Sequence, residues 1–217
     1  MSVTWLTALD WIGIAIFAVT GALTASRKRM DVFGFILLGS ATGIGGGSLR
    51  DLMLGQLPVF WVKEPAALAI CIAVSVATFF LAHIPESRYR ALLWLDAAGL
   101  SLFCVVGADK ALMAGAGGFI AVAMGVMTAC FGGIIRDLLG GESPLILRKE
   151  IYVTAALAGA LVFVSGAQLG APWLASAAAG FATCFAVRAL ALRYHWSLPV
   201  YRAREGRTAE EVEKGRE

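Results

Sequence analysis

Two glycine-rich motifs carry the residues of this chain whose types and spacing could do chemistry. In each motif an arginine-aspartate pair begins three positions after the last glycine. Both motifs lie in long apolar stretches, where a charged side chain is costly and by default marks an ion or substrate pathway. Ion binding or conduction is therefore the first chemistry to consider. The motifs are Gly45-Gly46-Gly47-Ser48-Leu49-Arg50-Asp51 and Phe131-Gly132-Gly133-Ile134-Ile135-Arg136-Asp137.

The composition predicts a protein embedded in a lipid bilayer. Of its 217 residues 59% are apolar and only 15% are charged, and the mean hydropathy is +0.78. A helix needs about 20 mostly apolar residues to cross the hydrocarbon core. The apolar runs lack the two-residue alternation of membrane strands. We predict an all-α polytopic membrane protein, with no nucleic-acid partner, whose seven transmembrane helices lie at residues 4–26, 32–54, 65–84, 92–114, 117–139, 150–167 and 172–193.

Basic residues set the predicted orientation. Cytoplasmic loops of membrane proteins are enriched in Lys and Arg. With seven spans, the basic clusters fall on one side, and the other side carries only Lys63 outside the helices. The sequence therefore predicts a multi-pass protein of the inner (plasma) membrane, with its N-terminus outside and its C-terminus in the cytoplasm. The clusters are Arg27-Lys28-Arg29, Arg88 with Arg90, Arg148-Lys149, and Arg193, Arg202, Arg204 and Arg207.

The two motifs belong to an internal repeat of 86 residues. Each repeat unit contains three predicted helices, an odd number, so the second unit enters the membrane from the opposite side, as in many transport proteins. Matched residues include Asp10 with Asp96, Thr42 with Thr128, Arg50 with Arg136 and Pro58 with Pro144. The predicted units are residues 4–84, the inverted copy at 92–167, a seventh helix at 172–194 and a cytoplasmic tail at 195–217.

The glycines predict kinks in the second and fifth of the seven helices. Each interior glycine costs a helix about 1 kcal/mol relative to alanine. Irregular backbone at membrane depth is tolerated only where protein or a water-filled cavity surrounds it. Freed carbonyl groups there could coordinate a cation, and close packing of small residues is the alternative. The predicted pore or kink residues are Thr42, Gly45, Gly46, Gly47, Ser48, Thr128, Phe131, Gly132 and Gly133.

The intramembrane charges are predicted to act as gates. Counted at about 1.5 Å per residue, Arg50 is level with Asp10 at one mouth, and Arg136 is level with Asp96 at the other. We therefore predict the pairs Asp10–Arg50 and Asp96–Arg136, with snorkelling to the headgroups as the alternative. Adjacent helical residues point apart, which makes Arg50 and Asp51 poor predicted partners. The predicted gating charges are Asp10, Arg50, Asp51, Asp96, Lys110, Arg136 and Asp137.

Lys110 breaks the symmetry of the repeat, because Thr24 occupies the matching place. A single charge that crosses the membrane field couples to it by about 2.3 kcal/mol per 100 mV. Lys110 is therefore a candidate voltage sensor. Solvation at the end of its helix is the alternative.

The sequence gives no indication of an enzyme. The glycine motifs lie inside apolar helices and not after a strand, so they are not a nucleotide-binding fingerprint. The four cysteines show no Cys-x-x-Cys spacing, which indicates neither a metal site nor a disulfide framework. We expect no catalytic residue, no cofactor and no tightly bound metal, only a permeating K⁺ or Na⁺ ion.

Two copies of a three-helix unit with Gly-Gly-Gly-x-x-Arg-Asp and Gly-Gly-x-x-Arg-Asp, followed by a seventh helix, resemble the prokaryotic trimeric intracellular cation (TRIC) channels. This bacterial family also carries the description of paired "glycine transporter" domains. The resemblance covers about residues 4–194. It implies a homotrimer in which each protomer has a hydrophilic pore that conducts potassium and, less selectively, sodium. Phe131 departs from the symmetry, because the first motif has Gly45 at that place.

Three functions remain open on the sequence. A passive monovalent-cation channel fits the resemblance, but Arg50 and Arg136 would repel cations unless they are neutralised. A secondary transporter of a small amino acid such as glycine fits the inverted repeat and the half-helix termini. A membrane scaffold or an intramembrane protease is the third hypothesis, which the sequence disfavours because its paired aspartates each adjoin an arginine and no nucleophile constellation accompanies them.

Overall fold

The computed structural model of the protein describes residues 2–85, 87–147 and 151–197. Seven long α-helices and the single-turn helix α3 occupy these ranges, with a short 3-10 helix before α7 at Leu145–Leu147. The predicted cytoplasmic tail lies almost entirely outside the described residues. The α-helices are α1 Ser2–Arg27, α2 Val32–Met53, α3 Phe60–Lys63, α4 Ala66–Leu81, α5 Arg88–Met113, α6 Gly118–Leu139, α7 Val153–Gln168 and α8 Trp173–Tyr194.

The all-helical prediction is confirmed, and each predicted helix has one counterpart whose ends differ by at most a few residues. Five helices, α1, α2, α5, α6 and α8, are long and apolar enough to cross a membrane. Helices α4 and α7 are apolar but have only 16 residues each. The total of seven crossings therefore stays a prediction. Helix α3 and the 3-10 helix were not predicted, since single helical turns carry too few residues for a periodic pattern.

Local sequence signals define the helix ends. The Asp31 carboxylate accepts a hydrogen bond from the Gly34 amide at 2.8 Å and caps α2. Gly55 follows α2 at φ 66°, and Gly141 follows α6 at φ 64°, a left-handed conformation that glycine adopts without steric cost. Gly55 and Gly141 are 86 residues apart and therefore occupy matching positions of the repeat. The same type of turn thus ends both motif-bearing helices.

The helices pack in two similar groups. Helix α1 contacts α2 and α4, and α5 makes the corresponding contacts with α6 and α7. The groups meet where α1 lies against α5 and α2 lies against α6, and α8 packs on α5 and α7. Phe17 and Phe103, which are also 86 residues apart, form an edge-to-face ring pair with centroids 5.1 Å apart between α1 and α5.

The outer surface of the helix bundle is apolar. Phe33 is 74% exposed and Phe119 is 87% exposed, and many other leucine and phenylalanine side chains also face outward. The ionisable side chains of the motifs point inward instead, since Arg50 and Arg136 are buried. A surface that exposes so many large apolar side chains suits lipid and not water.

Neither motif-bearing helix is unwound at its glycines, so the expectation of freed backbone groups there is wrong. Both α2 and α6 continue as α-helix through Gly45–Gly47 and Gly132–Gly133. The physical reason is that tertiary packing outweighs the helix cost of a glycine. Carbonyl groups near Thr42 and Thr128 therefore remain within helical backbone and are not freed for a cation. A bend in these continuous helices stays a prediction.

Candidate functional site

The glycines of the motifs bring the backbones of α2 and α6 together. A Cβ atom at Gly46 would overlap the carbonyl oxygen of Thr128 on α6. A Cβ atom at Gly132 would lie 2.5 Å from the carbonyl oxygen of Thr42 on α2. These two matched contacts make the crossing of α2 and α6 a backbone-to-backbone contact that only glycine permits. Close packing, the alternative to a kink, therefore accounts for these two glycines.

The remaining pore or kink residues contact side chains. Gly45 faces the tip of the Ile135 side chain, and Gly47 faces the Phe60 ring. The Ser48 hydroxyl donates to the Ile44 carbonyl at 2.8 Å and accepts from the Trp61 indole N–H at 3.0 Å. Phe131 is half-buried, and Gly133 lies beside the Tyr152 hydroxyl.

A fully buried ion-pair network, here called the Asp96 network, surrounds Arg136. Arg136 Nη1 donates to Asp96 Oδ1 at 2.6 Å and to the Thr20 hydroxyl at 3.2 Å. Arg136 Nε donates to Asp137 Oδ1 at 2.9 Å. The Arg136 and Asp96 side chains are both 0% exposed. The predicted Asp96–Arg136 contact is therefore present, and it joins α1, α5 and α6.

The second network lies at the opposite end of the α2–α6 pair and opens into a cavity of about 280 Å³, here called the Asp10 cavity. Arg50 donates to Asp51 Oδ1 from Nε at 2.9 Å and from Nη2 at 2.7 Å. The Lys110 ammonium group donates to Asp10 Oδ2 at 2.5 Å. The ionisable side chains that line the cavity are Asp10, Arg50, Asp51, Lys63, Glu64 and Lys110.

Two expectations about pairing are wrong at this end. Asp10 pairs with Lys110 and not with Arg50, although both line the same cavity. Arg50 pairs with its neighbour Asp51, which was judged a poor partner. The Asp51 carboxylate turns toward the end of the helix, and the Arg50 side chain is long enough to fold back and reach it. The second oxygen of Asp51 accepts the Phe60 amide at 2.8 Å, which fixes that orientation.

Asp51 and Asp137 perform the same task in the two groups. Asp137 Oδ2 accepts the Leu145 amide at 2.9 Å, as Asp51 accepts the amide of Phe60. Each aspartate therefore joins its arginine to the short helical turn that follows the motif, α3 in one group and the 3-10 helix in the other. The matched geometry extends the resemblance between the motifs from sequence to hydrogen bonding.

Sequence reasoning missed several residues of the site. The Phe60 ring lies beside two of the cationic groups of the Asp10 cavity, 5.7 Å from Arg50 Cζ and 5.4 Å from Lys110 Nζ. Tyr152 is 1% exposed beside the Asp96 network, and the buried Arg188 guanidinium lies 5.2 Å over its ring. An arginine within an apolar helix was the available signal for Arg188. No pattern in the sequence singled out Phe60 or Tyr152.

The fold and these buried charge networks define an α-helical polytopic membrane protein, and comparisons with known proteins give its family. A family model described as "Glycine transporter" matches residues 7–83 and again residues 93–168. The inner membrane protein YadS (UPF0126) of Escherichia coli is 42% identical over 203 residues, which cover 93% of this chain and 97% of YadS.

Solved structures give the same family. The TRIC trimeric intracellular cation channel orthologue from Rhodobacter sphaeroides is 62% identical and superposes with a TM-score of 0.87. The match covers 89% of this chain and 100% of the orthologue's chain. A prokaryotic TRIC channel crystallised in 0.5 M KCl is 30% identical, with a TM-score of 0.83. The match covers 90% of this chain and 99% of that channel's chain. The matched structures are channels and not enzymes, as predicted. The chain belongs to the TRIC channel family, which confirms the resemblance seen in the sequence.

Proposed function

We propose that the protein is a monovalent-cation channel that conducts potassium and also sodium, through a pore in each protomer of a homotrimer. The observation that carries the proposal is the similarity along nearly the whole chain to TRIC channel structures. The secondary transport of glycine is the weaker alternative. It is supported by the description of the family model but by no structure among the relatives reported above.

The charge networks support cation conduction because they neutralise the arginines. An unpaired arginine near the pathway would repel cations. Arg50 is paired with Asp51, and Arg136 is paired with both Asp96 and Asp137. In the proposal these charges, together with Asp10 and Lys110, gate the two mouths of the pathway.

The proposed pathway runs along α2 and α6, past the residues of both motifs. The Asp10 cavity would form one entrance, and the Asp96 network would close the other end. At the crossing between them, Gly46 and Gly132 hold the backbones in contact. Conduction would then require α2 and α6 to bend or separate at the glycines, with Thr42, Gly45, Ser48, Thr128, Phe131 and Gly133 beside the opening.

The proposal includes the inverted repeat and the orientation. The two ranges that the family model matches support units at 4–84 and 92–167, followed by the seventh helix at 172–194 and the tail at 195–217. Seven crossings would place the N-terminus outside and the C-terminus in the cytoplasm. The lipid bilayer, further copies of the chain and the permeating ion are the proposed partners, with no cofactor.

Planar-bilayer recording of the purified protein tests the function. In asymmetric KCl we expect single-channel steps whose reversal potential moves toward that of K⁺, and smaller steps when NaCl replaces KCl. The mass of the same sample in detergent should correspond to three chains. Saturable glycine flux into liposomes without single-channel steps would overturn the channel and favour the transporter.

A further inference from the structure

The Lys110 ammonium group lies in a site with the features of a monovalent-cation site. It donates to Asp10 Oδ2 at 2.5 Å and lies 5.4 Å from the centre of the Phe60 ring. A carboxylate and the negative face of an aromatic ring both attract a single positive charge. Both contacts lie in the Asp10 cavity, whose volume of about 280 Å³ has room for a monovalent cation or for water molecules.

The charges of the cavity balance only when Lys110 is counted. Three carboxylates, of Asp10, Asp51 and Glu64, face three cationic groups, of Arg50, Lys63 and Lys110. Asp51 is already satisfied by Arg50 and by the Phe60 amide. Without the Lys110 ammonium, Asp10 would be a buried carboxylate without its partner, which is a costly arrangement.

The repeat shows that Asp10 has another possible partner. Its counterpart Asp96 pairs with Arg136, whereas Asp10 pairs with Lys110 and not with the matching Arg50. Arg50 is 2% exposed, and its Nη1 atom has no hydrogen-bond partner among the described residues. Lys110 has no counterpart, since Thr24 stands at the matching position. Lys110 therefore accounts for the difference between the two ends.

We propose that the Asp10 cavity holds a monovalent-cation site, formed by the Asp10 carboxylate and the Phe60 ring, that the tethered ammonium of Lys110 occupies in this structure. A free monovalent cation entering the cavity competes with that ammonium group for Asp10. The inference rests on the proposed cation channel, because it names where a permeating ion first binds. Displacement of Lys110 by the ion would make the cavity sensitive to the ion concentration on its side.

Rubidium, which replaces potassium and scatters anomalously, tests the site directly. Wild type, Lys110→Gln and the double variant Asp10→Asn/Lys110→Gln are crystallised in RbCl. We expect an anomalous peak beside Asp10 and Phe60 in Lys110→Gln and none there in the other two proteins. Lys110→Arg is the matched control: it keeps a tethered cation and should also show no peak. Lys110→Met, which retains the length of the stem, carries the same test if Lys110→Gln does not fold.

A second readout is thermal stability in RbCl against N-methyl-D-glucamine chloride. We expect the Rb⁺ concentration for half-maximal stabilisation to be at least tenfold lower in Lys110→Gln than in wild type. A Lys110→Gln structure in which Asp10 turns to Arg50 Nη1 without a rubidium peak overturns the proposal. A peak that survives in the double variant also overturns it. Failure of the wild type to conduct in bilayers would instead count against the proposed function and leaves these binding results unaffected.

Discussion

Arg136 is a fully enclosed charge, and its surroundings differ from those of its counterpart Arg50. Arg136 contacts two carboxylates and one hydroxyl, and its own side chain is 0% exposed. Arg50 contacts one carboxylate next to an open cavity. A buried arginine keeps its charge at any ordinary pH, so the carboxylates are needed for its burial. Breaking the Asp96 network should therefore cost more stability than breaking the ion pairs at the Asp10 cavity.

The matched variants Asp96→Asn and Asp10→Asn test this difference. Removing one partner of a buried ion pair costs about 3–5 kcal/mol, and we expect the lower part of that range for Asp96→Asn because Asp137 still pairs with Arg136. Asp10→Asn should cost clearly less, because the Lys110 side chain is 21% exposed and water can solvate it. Thermal unfolding in detergent measures both. Equal losses of stability would contradict the contrast between the two ends.

At the scale of elements, the contact between α2 and α6 depends on individual glycines in different ways. The Cβ of an alanine at Gly46 would overlap backbone, which cannot move without shifting the helix. The Cβ of an alanine at Gly45 would meet only the tip of the Ile135 side chain, which can rotate away. Adjacent glycines of one motif therefore have different structural requirements.

Gly46→Ala is expected to lower the melting temperature by several degrees, because α2 must move away from α6. Gly45→Ala is the matched control and should change it little, since the alanine gains about 1 kcal/mol of helix propensity against a small side-chain adjustment. Thermal unfolding of both variants in the same detergent gives the comparison. A Gly45→Ala variant as unstable as Gly46→Ala would contradict this difference between a side-chain contact and a backbone contact.

At the scale of the whole molecule, the proposed membrane orientation rests on the asymmetry of the loop charges. Lys28 lies after α1 and Lys63 lies at the end of α3, and both side chains are exposed. With seven crossings they are on opposite sides, Lys28 in the cytoplasm. The described cysteines, Cys71, Cys104, Cys130 and Cys184, are buried, so they provide a low labelling background.

Labelling of Lys63→Cys and Lys28→Cys in intact cells tests the orientation. A membrane-impermeant maleimide should modify Lys63→Cys directly and Lys28→Cys only after the cells are broken. The reversed result would place the N-terminus in the cytoplasm. Labelling of both sites in intact cells would mean that the number of crossings between them is not odd.

The helices were predictable from sequence because their apolar runs are long and their ends carry ordinary signals. Asp31 caps α2, and Gly55 and Gly141 permit the turns that close α2 and α6. The family was predictable because the spacing of glycine, arginine and aspartate is the same in both motifs. Short elements such as α3 were missed, since one helical turn leaves no periodic pattern.

The sequence by itself determined the membrane environment, the helices and the presence of two equivalent motifs, because composition and spacing are properties of the chain alone. Only the tertiary structure decided what those motifs contact. It showed that Gly46 and Gly132 serve close backbone packing within continuous helices, and that Arg50 pairs with Asp51. It also showed that Asp10 forms an ion pair with Lys110, which lies 100 positions away in the chain. Partner choice depends on distances between helices and on the shape of side chains, and neither quantity is encoded in a linear pattern.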